Sequence, residues 1–175
     1  MKTLLLTVSL LLSFTLTQAQ SMFDKYEDYD NVTSVIVTDE MFKLLKEIEP
    51  ESQEAKEEIG VLSNLTGLKV FVTEDDKISN EISADAQKYI QNNKLTELMR
   101  INDNESKVKF YFIKGDQPHI AKELIMIAKN IEEGKKNTVV MLVTGQIDLK
   151  KLSKLNSKVK IINSKYLKKV EEEQE

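Results

Sequence analysis

The chain has 175 residues, no cysteine, and 29 acidic against 25 basic side chains, which gives a net charge of −4. This acidic balance argues against nucleic acid or an anionic lipid surface as a bulk partner. Because there is no cysteine, disulfides, thiol chemistry and cysteine zinc sites are excluded, and the stability must come from an apolar core.

The N-terminus is typical of a secretory signal peptide. Lys2 provides a positive start, an uncharged apolar run covers residues 4–16, and Thr17 and Ala19 are the small residues of a cleavage site. The apolar run is too short for a stable membrane anchor, although an anchor left uncleaved is the alternative. The sequence therefore predicts a signal peptide over 1–19 and a secreted or periplasmic protein with no stable membrane anchor after cleavage.

Aromatic and acidic residues alternate directly after this segment. Met22, Phe23, Tyr26 and Tyr29 lie at helical spacing, which predicts a short amphipathic turn. A calcium loop built from Asp24, Asp28 and Asp30 is the sharper alternative. It is disfavoured because Val32 occupies the next ligand position and no glycine provides the sharp turn.

Two strand–helix units are predicted next. The β-branched residues of Thr33–Thr38 indicate a strand, and Asp39 is placed to cap a helix that ends at Pro50. The apolar stripe of that helix is Met41, Phe42, Leu45 and Ile48. A second helix is predicted to run from Glu51 to a stop at Gly67.

A second strand is predicted at Leu68–Thr73, followed by a third helix that ends at Asn92 and Asn93. The apolar positions of that helix are Ile78, Ile82, Ala86, Tyr89 and Ile90. Because helices separate the first two strands, we expect those strands to run parallel as neighbours or near-neighbours.

From Leu95 onward, short segments alternate with polar turns, which predicts a four-stranded antiparallel meander. Its strands are Glu97–Asn102, Lys107–Lys114, Lys122–Lys129 and Asn137–Gly145. The third of these could also be a helix, because Ile120, Leu124, Ile127 and Ile131 match helical spacing. We favour a strand, since strand-like segments flank it at hairpin distance.

The run Val139–Val143 is too short for a helix and rich in valine, so we expect a central strand buried on both faces. Gly145 is predicted to end it, and Asp148 to cap a helix with Leu149, Leu152 and Leu155. The sequence thus predicts one α+β domain over 20–156. Residues 157–175 form a charged tail with a weak strand signal at 159–162.

Several short segments together resemble domain-of-unknown-function family 4252, a family of exported bacterial proteins. The residues that carry the resemblance are Phe23–Tyr26, Val32–Val35, Met41–Phe42, Leu98–Arg100, Lys122–Leu124 and Gly145–Leu149. The sequence departs from the lipoproteins of that family because no cysteine follows the signal peptide, and at Gln146, where a more acidic or amide-rich pair is expected. The resemblance implies cellular location and domain extent, and it assigns no activity, cofactor or site residue.

The reactive side chains that the sequence contains argue against a catalytic site. His119 is the only histidine and follows Pro118 in a predicted turn, and the five glycines are isolated, so no phosphate loop is present. Paired carboxylates remain: Asp75 with Asp76, Asp103 with Glu105, and Glu132 with Glu133. Each pair lies in a predicted turn, where acids serve capping and solubility.

We therefore expect an α+β fold in which two β-α units precede a four-stranded antiparallel meander and a C-terminal helix, all on a single mixed sheet. The function expected is a non-enzymatic binding module of the cell envelope, without a cofactor and with a protein or peptide partner. The alternative is a carboxylate-based hydrolase acting on an envelope glycan or peptide. The partner-binding residues predicted are Lys109, Tyr111 and Ile113, because they share one face of a strand.

Overall fold

The computed structural model describes residues 22–132 and 135–151. The predicted signal peptide, the tail 157–175 and most of the predicted C-terminal helix lie outside these residues. The strands are β1 (Thr33–Thr38), β2 (Leu65–Thr73), β3 (Thr96–Asn102), β4 (Ser106–Lys114), β5 (Ile120–Glu132) and β6 (Lys135–Asp148). The helices are α1 (Asp39–Leu45), α2 (Gln53–Leu62) and α3 (Asp76–Asn92), and a 3-10 turn covers Lys25–Asp28.

The six strands form one sheet in the order β1-β2-β6-β5-β4-β3. The expectation that Val139–Val143 belongs to a central strand is confirmed, because β6 lies between β2 and β5. The four-stranded meander is confirmed as well, with antiparallel pairs β3–β4, β4–β5 and β5–β6. The ambiguous segment Lys122–Lys129 is part of strand β5.

The expected parallel start of the sheet is wrong, since β1 and β2 pair antiparallel with Thr33 opposite Val72 and Thr38 opposite Gly67. The reason is the connection between them, which contains two short helices in place of one long crossover helix. α1 has seven residues and is about 10 Å long, and α2 follows it within the same connection. The chain is therefore not carried back to the beginning of β1 before it enters β2.

Neither glycine expected to end an element does so. β2 begins at Leu65, so that Gly67 lies inside the strand opposite Thr144, and β6 continues through Gly145 to Asp148. Gly145 has a φ of 124°, and a Cβ placed there would lie 2.5 Å from the Asn64 oxygen. The two strands approach each other so closely here that only glycine fits.

One face of the sheet, which we call the front face, is covered by α3 and by the N-terminal turn. α3 spans the predicted range and buries Ile82, Ala86 and Tyr89 against it. The sheet residues of this front-face cluster are Phe71, Tyr111, Ile125, Ile127, Val140 and Leu142. The early prediction of a helix with these apolar positions is therefore confirmed.

The opposite face, the back face, carries a second apolar cluster. Its buried sheet residues are Leu65, Val108, Phe110, Ala121, Leu124, Ala128, Val143 and Ile147, and Phe42 of α1 packs on it. α1 ends at Leu45 and not at Pro50 as expected, so Ile48 of the predicted stripe lies beyond the helix and is exposed. Within α1, Phe42 is buried and Leu45 packs against the cluster, while Met41 is exposed. The predicted cap at Asp148 is confirmed, since its carboxylate accepts hydrogen bonds from the amides of Lys150 and Lys151.

Candidate functional site

A polar cluster ties the N-terminal turn to α3 at the margin of the front face. The Tyr26 hydroxyl donates a hydrogen bond of 2.9 Å to Asp85, which is buried. The Lys25 ammonium lies 2.8 Å from Asp85 and 2.7 Å from Glu81. Tyr26 is itself fully buried and packs edge-on against Phe71 of β2. The cluster thus fixes the segment that precedes β1.

The electrostatics of this cluster suit ion pairing. Burial opposes the charged form of Asp85, yet hydrogen bonds from Lys25, Tyr26 and Lys88 hold the pKa of its carboxyl below the usual value. Burial and the hydrogen bond to Asp85 raise the pKa of Tyr26, so its hydroxyl stays protonated as the donor. We assign the cluster a structural role, since a carboxylate held in its charged form is a poor proton donor.

A second carboxyl, that of Glu123 on β5, has the opposite electrostatics. Burial raises its pKa, and a hydrogen bond from the Tyr89 hydroxyl of α3 opposes that rise. Its Oε1 atom is buried without a hydrogen-bond partner among the described residues. A raised pKa is a property that general acids share, so Glu123 is the described carboxyl that best fits proton transfer.

Two of the carboxylates singled out in the sequence, Asp75 and Asp103, accept hydrogen bonds from backbone amides. Asp75 accepts hydrogen bonds from the amides of Lys77 and Ile78 at the start of α3. Asp103 accepts from the amides of Glu105 and Ser106 in the β3–β4 turn. Glu133 lies outside the described residues. Within 22–132 and 135–151, no group of three or more acidic or histidine side chains is arranged to hold a metal ion.

The predicted partner-binding row does share one face, as expected, but that face is the front one. Tyr111 is only 8% exposed and belongs to the cluster under α3, and Ile113 packs against the same cluster. Lys109 lies beside them and is half-buried. Two of the three side chains therefore have a packing role, and partner binding by this row stays a prediction.

The more accessible apolar surface lies at the edge of the sheet formed by β1. Among the described strands β1 pairs with β2 alone, so its outer backbone groups face no described strand. The segment Thr33–Thr38 has no charged residue, no proline and no register shift. Val35 is 50% exposed and Ile36 is 37% exposed. Because neighbouring residues of a strand point to opposite faces, both sides of this edge are apolar.

The opposite edge, β3, exposes as much apolar surface and yet differs in two respects. Leu98 is 44% and Met99 is 45% exposed, close to the values on β1. However, Glu97 and Arg100 form a two-point ion pair on this strand, and the register shifts between Glu97 and Met99. Charges and bulges are the devices by which proteins prevent further strands from pairing with a sheet edge.

The surroundings of β1 extend the accessible apolar surface. α1 packs against β1 and β2, and it exposes Met41 and Leu44. A cavity of about 380 Å3 lies at the C-terminal end of β1, between Ile36, Thr38 and Lys69. The arrangement offers an extended chain backbone groups along β1 and a recess for one side chain at its end.

The sequence did not single out this edge as a site. A run of β-branched residues predicts a strand, whereas its place at the rim of the sheet depends on the pairing of β2 with β6, which are far apart in sequence. The signal that was available is the lack of any charged residue in Thr33–Thr38, which is unusual for an edge.

The model of the family described as Domain of unknown function (DUF4252) matches residues 26–155. No curated protein and no solved structure matches the chain. In the described residues, no helix is long and apolar enough to cross a membrane.

Proposed function

This chain belongs to the family Domain of unknown function (DUF4252), and we propose that it is an exported, non-enzymatic binding module of the bacterial cell envelope. Its site is the edge strand β1, along which it captures an extended segment of a partner protein. The observation that carries the proposal is the unprotected state of this edge: Thr33–Thr38 is uncharged, unbroken in register and exposed on both sides.

A partner segment that pairs with β1 as an additional strand would use both the backbone groups and the side chains of this edge. A partner segment that pairs with β1 gains main-chain hydrogen bonds, and its alternate side chains contact Val35 on one face and Ile36 on the other. Met41 and Leu44 of α1 add apolar contact on the back-face side. Exposed apolar area of this kind is what partner proteins cover.

The charges around β1 favour a segment that carries a basic residue. The turn before β1 packs against the strand, and it exposes Asp28 and Asp30, neither of which has an ion-pair partner among the described residues. At the other end of the strand, Lys69 is already paired with Asp24 and Glu27. We therefore expect an apolar segment with a lysine or arginine beside the start of β1.

Export rests on the sequence, through the apolar run 4–16 and the small residues Thr17 and Ala19 that follow it. The predicted mature protein begins at Gln20. Intact mass of the exported protein checks this part of the proposal, and a chain that still begins at Met1 would contradict it.

A second candidate is the carboxylate-based hydrolase, which one observation favours: the raised pKa of the buried Glu123. In that case Glu123 would donate a proton to the leaving group, and Tyr89 would position it. The Glu123→Gln variant would then lose hydrolysis of envelope glycan or peptide fragments while remaining folded. Retention of such hydrolysis, or its absence in the parent protein, contradicts this candidate.

Site-specific photo-crosslinking tests the binding module. A photoreactive amino acid is placed at Val35 on β1 or at Leu98 on β3, two positions with similar exposure on the two edges. Both variants are expressed with the native signal sequence, irradiated in cells and analysed by mass spectrometry. We expect the probe at Val35 to label one contiguous, extended segment of one envelope protein, and the probe at Leu98 to label it at least tenfold less.

Equal labelling from both edges would show that apolar exposure alone attracts proteins, and would contradict a dedicated site. Labelling at Val35 that is scattered over many abundant proteins would contradict it as well. The variant Val35→Lys serves as the matched control, because it places a charge on the edge and should abolish capture of the segment while leaving the fold unchanged.

A further inference from the structure

The cavity of about 380 Å3 at the C-terminal end of β1 is a recess with an apolar floor. Its most deeply buried lining residue is Leu142, which is 3% exposed and lies beside Ile36 of the edge strand. The recess stays open because Gly67 has no side chain, and a Cβ there would lie 2.7 Å from the Thr144 hydroxyl oxygen. This apolar recess can therefore take one apolar side chain of a segment that follows β1.

A second recess adjoins the first at the same end of the sheet. It has a volume of about 510 Å3, and Asp39 and Thr66 line both cavities. Lys46, directly after α1, and Lys122 of β5 also line it, and we call it the cationic recess. A segment that leaves the edge at the end of β1 can therefore pass from the apolar recess to two positive charges.

The positive charges of the cationic recess are available to a ligand. Lys46 is exposed and has no ion-pair partner among the described residues. Lys122 lies 2.8 Å from Asp116, but that carboxylate is 84% exposed, so solvent weakens the pair. Asp39, the acid in the lining, is itself paired with Lys43 at 2.8 Å. The recess therefore favours an anion, although the chain as a whole is acidic.

The β1 edge thus has opposite charges near its two ends. The turn before β1 exposes Asp28 and Asp30, whereas the cationic recess lies beyond Thr38. A complementary segment has a basic residue beside the start of the strand and an anionic group beyond its end. The C-terminal tail of a protein supplies that anionic group as its terminal carboxylate, at the point where the chain stops.

We propose that the segment captured at β1 is the C-terminal tail of the partner protein and that it runs parallel to β1. Its terminal carboxylate binds in the cationic recess between Lys46 and Lys122, and its last apolar side chain lies in the apolar recess. In the opposite orientation an N-terminal tail would bring its ammonium group to the two lysines, which is unfavourable. Sheets that mix parallel and antiparallel strands are common. This inference rests on the proposed function, because it specifies the partner of the same edge.

Two peptides that differ only at the C-terminus test the proposal. Each has eight residues, begins with an acetylated lysine, alternates threonine and valine, and ends in leucine with either a free carboxylate or an amide. Eight residues exceed the six of β1 by two, or about 7 Å at 3.3 Å per residue, which lets the end enter the recesses. The dissociation constants for the exported protein are measured by calorimetry, and the protection of β1 amides is measured by NMR.

We expect the peptide with the free carboxylate to bind at β1 at least tenfold more tightly than the amide. The double variant Lys46→Gln with Lys122→Gln should reduce this ratio to about one. The matched control is Lys56→Gln with Lys107→Gln, which removes the same charge from two exposed positions outside the recess and should preserve the ratio.

The outcomes separate this inference from the proposed function. Equal binding of the two peptides with protection of β1 would overturn capture of a C-terminal tail and leave capture at the edge intact. A tenfold preference that persists in the recess variant would also overturn it. Failure of both peptides to protect β1 would contradict the proposed function, and this inference with it.

The direction of the bound peptide has its own readout. A nitroxide in place of the N-terminal acetyl group should broaden the amide signals at Thr33 and Ser34 and leave the signal at Thr38 sharp. Broadening at Thr38 instead would overturn the parallel orientation.

Discussion

The two edges of the sheet expose nearly the same amount of apolar side chain, but only β3 carries features that oppose pairing with a further strand. β1 presents Val35 and Ile36 from a strand without charge, and its register to β2 is continuous. β3 presents Leu98 and Met99 beside the ion pair of Glu97 and Arg100, at a shift in register. The exposure of apolar side chains alone therefore does not distinguish the two edges.

The two edges differ in the two features that decide whether a further strand can pair with an edge: the continuity of its backbone groups and its charge. A partner strand needs an uninterrupted row of backbone donors and acceptors, and burying a charged side chain beside it is unfavourable. β3 fails both conditions, whereas β1 meets them. The comparison therefore supports the proposed binding at β1, and it shows that β3 carries two features that oppose pairing with a further strand.

The largest effect on stability is predicted for a substitution that disrupts the sheet only on the β1 side. In Gly145→Val the new side chain would meet the backbone at Asn64 and Leu65, and the φ of 124° would be strained. We expect the free energy of unfolding to fall by about 3 kcal/mol or more, measured by urea denaturation. Amide exchange should accelerate in β1 and β2 before β3.

Gly60→Ala is the matched glycine control for that variant. Gly60 lies within α2, and a Cβ there would meet nothing within 4 Å. Because alanine favours helix over glycine by about 1 kcal/mol, this change should stabilise the protein slightly. Equal destabilisation by both variants would show that the close approach at Gly145 has no special importance.

A smaller effect should follow from loosening the turn that precedes β1. Asp85→Asn removes the charge that pairs with Lys25 and leaves one acceptor oxygen where the carboxylate has two, so we expect a loss of roughly 2 kcal/mol at pH 7. The pKa of Asp85 is lowered in the folded protein, so its contribution is complete above the unfolded value of about 4. It is lost as the pH falls through the folded value.

The two proteins should therefore approach equal stability in urea titrations well below pH 4. A deficit of the variant that is unchanged at low pH would assign the loss to packing instead of charge. Hydrogen exchange should locate the loosening in the turn and β1, with β3 unaffected. If β3 is affected equally, the cluster does not act on the β1 edge specifically.

The smallest effect on stability should come from removing the ion pair and the register shift of β3. The same change tests most directly whether these two features explain the difference between the edges. A variant that lacks Leu98 and carries Glu97→Thr and Arg100→Thr has no register shift and no ion pair on this edge, while its net charge is unchanged. We expect nearly unchanged urea denaturation, because exposed ion pairs contribute little.

The same β3 variant should gain the ability to pair with an extended apolar peptide, measured by amide shifts in β3 and β4. The parent protein should show no such shifts at that edge. A β3 variant that stays inert would mean that charge and bulge do not explain the difference between the two edges.

The sequence predicted the elements better than their arrangement, and particular residues show why. The valines of Val139–Val143 indicate a buried strand because the information is local. The direction of β2 relative to β1 depends on two helices in one connection, where the pattern could not separate α2 from the start of β2 at Leu65. The end of a helix and the start of a strand both accept apolar residues there.

The candidate site was harder to predict, because its parts come from distant positions. Tyr26 and Asp85 meet only when the N-terminal turn packs on α3. Tyr111 and Ile113 were correctly placed on one face, but the sequence does not say that α3 covers that face and leaves the edge at β1 exposed. Burial and edge position depend on pairing between β2 and β6, which no local pattern specifies.

The most direct test of the account is an NMR titration of the labelled protein with a defined peptide. The peptide has ten residues, alternates valine and threonine, and carries lysine at both ends to match Asp28 and Asp30. A control peptide has the same side chains with alternate amides N-methylated, so that it cannot donate a row of backbone hydrogen bonds.

We predict that the first peptide slows amide exchange in β1 at least tenfold and leaves β3 unchanged, while the control peptide has no effect at either edge. Equal effects of the two peptides, or protection that maps to β3 and not to β1, would contradict the claim that β1 is a strand-capturing edge.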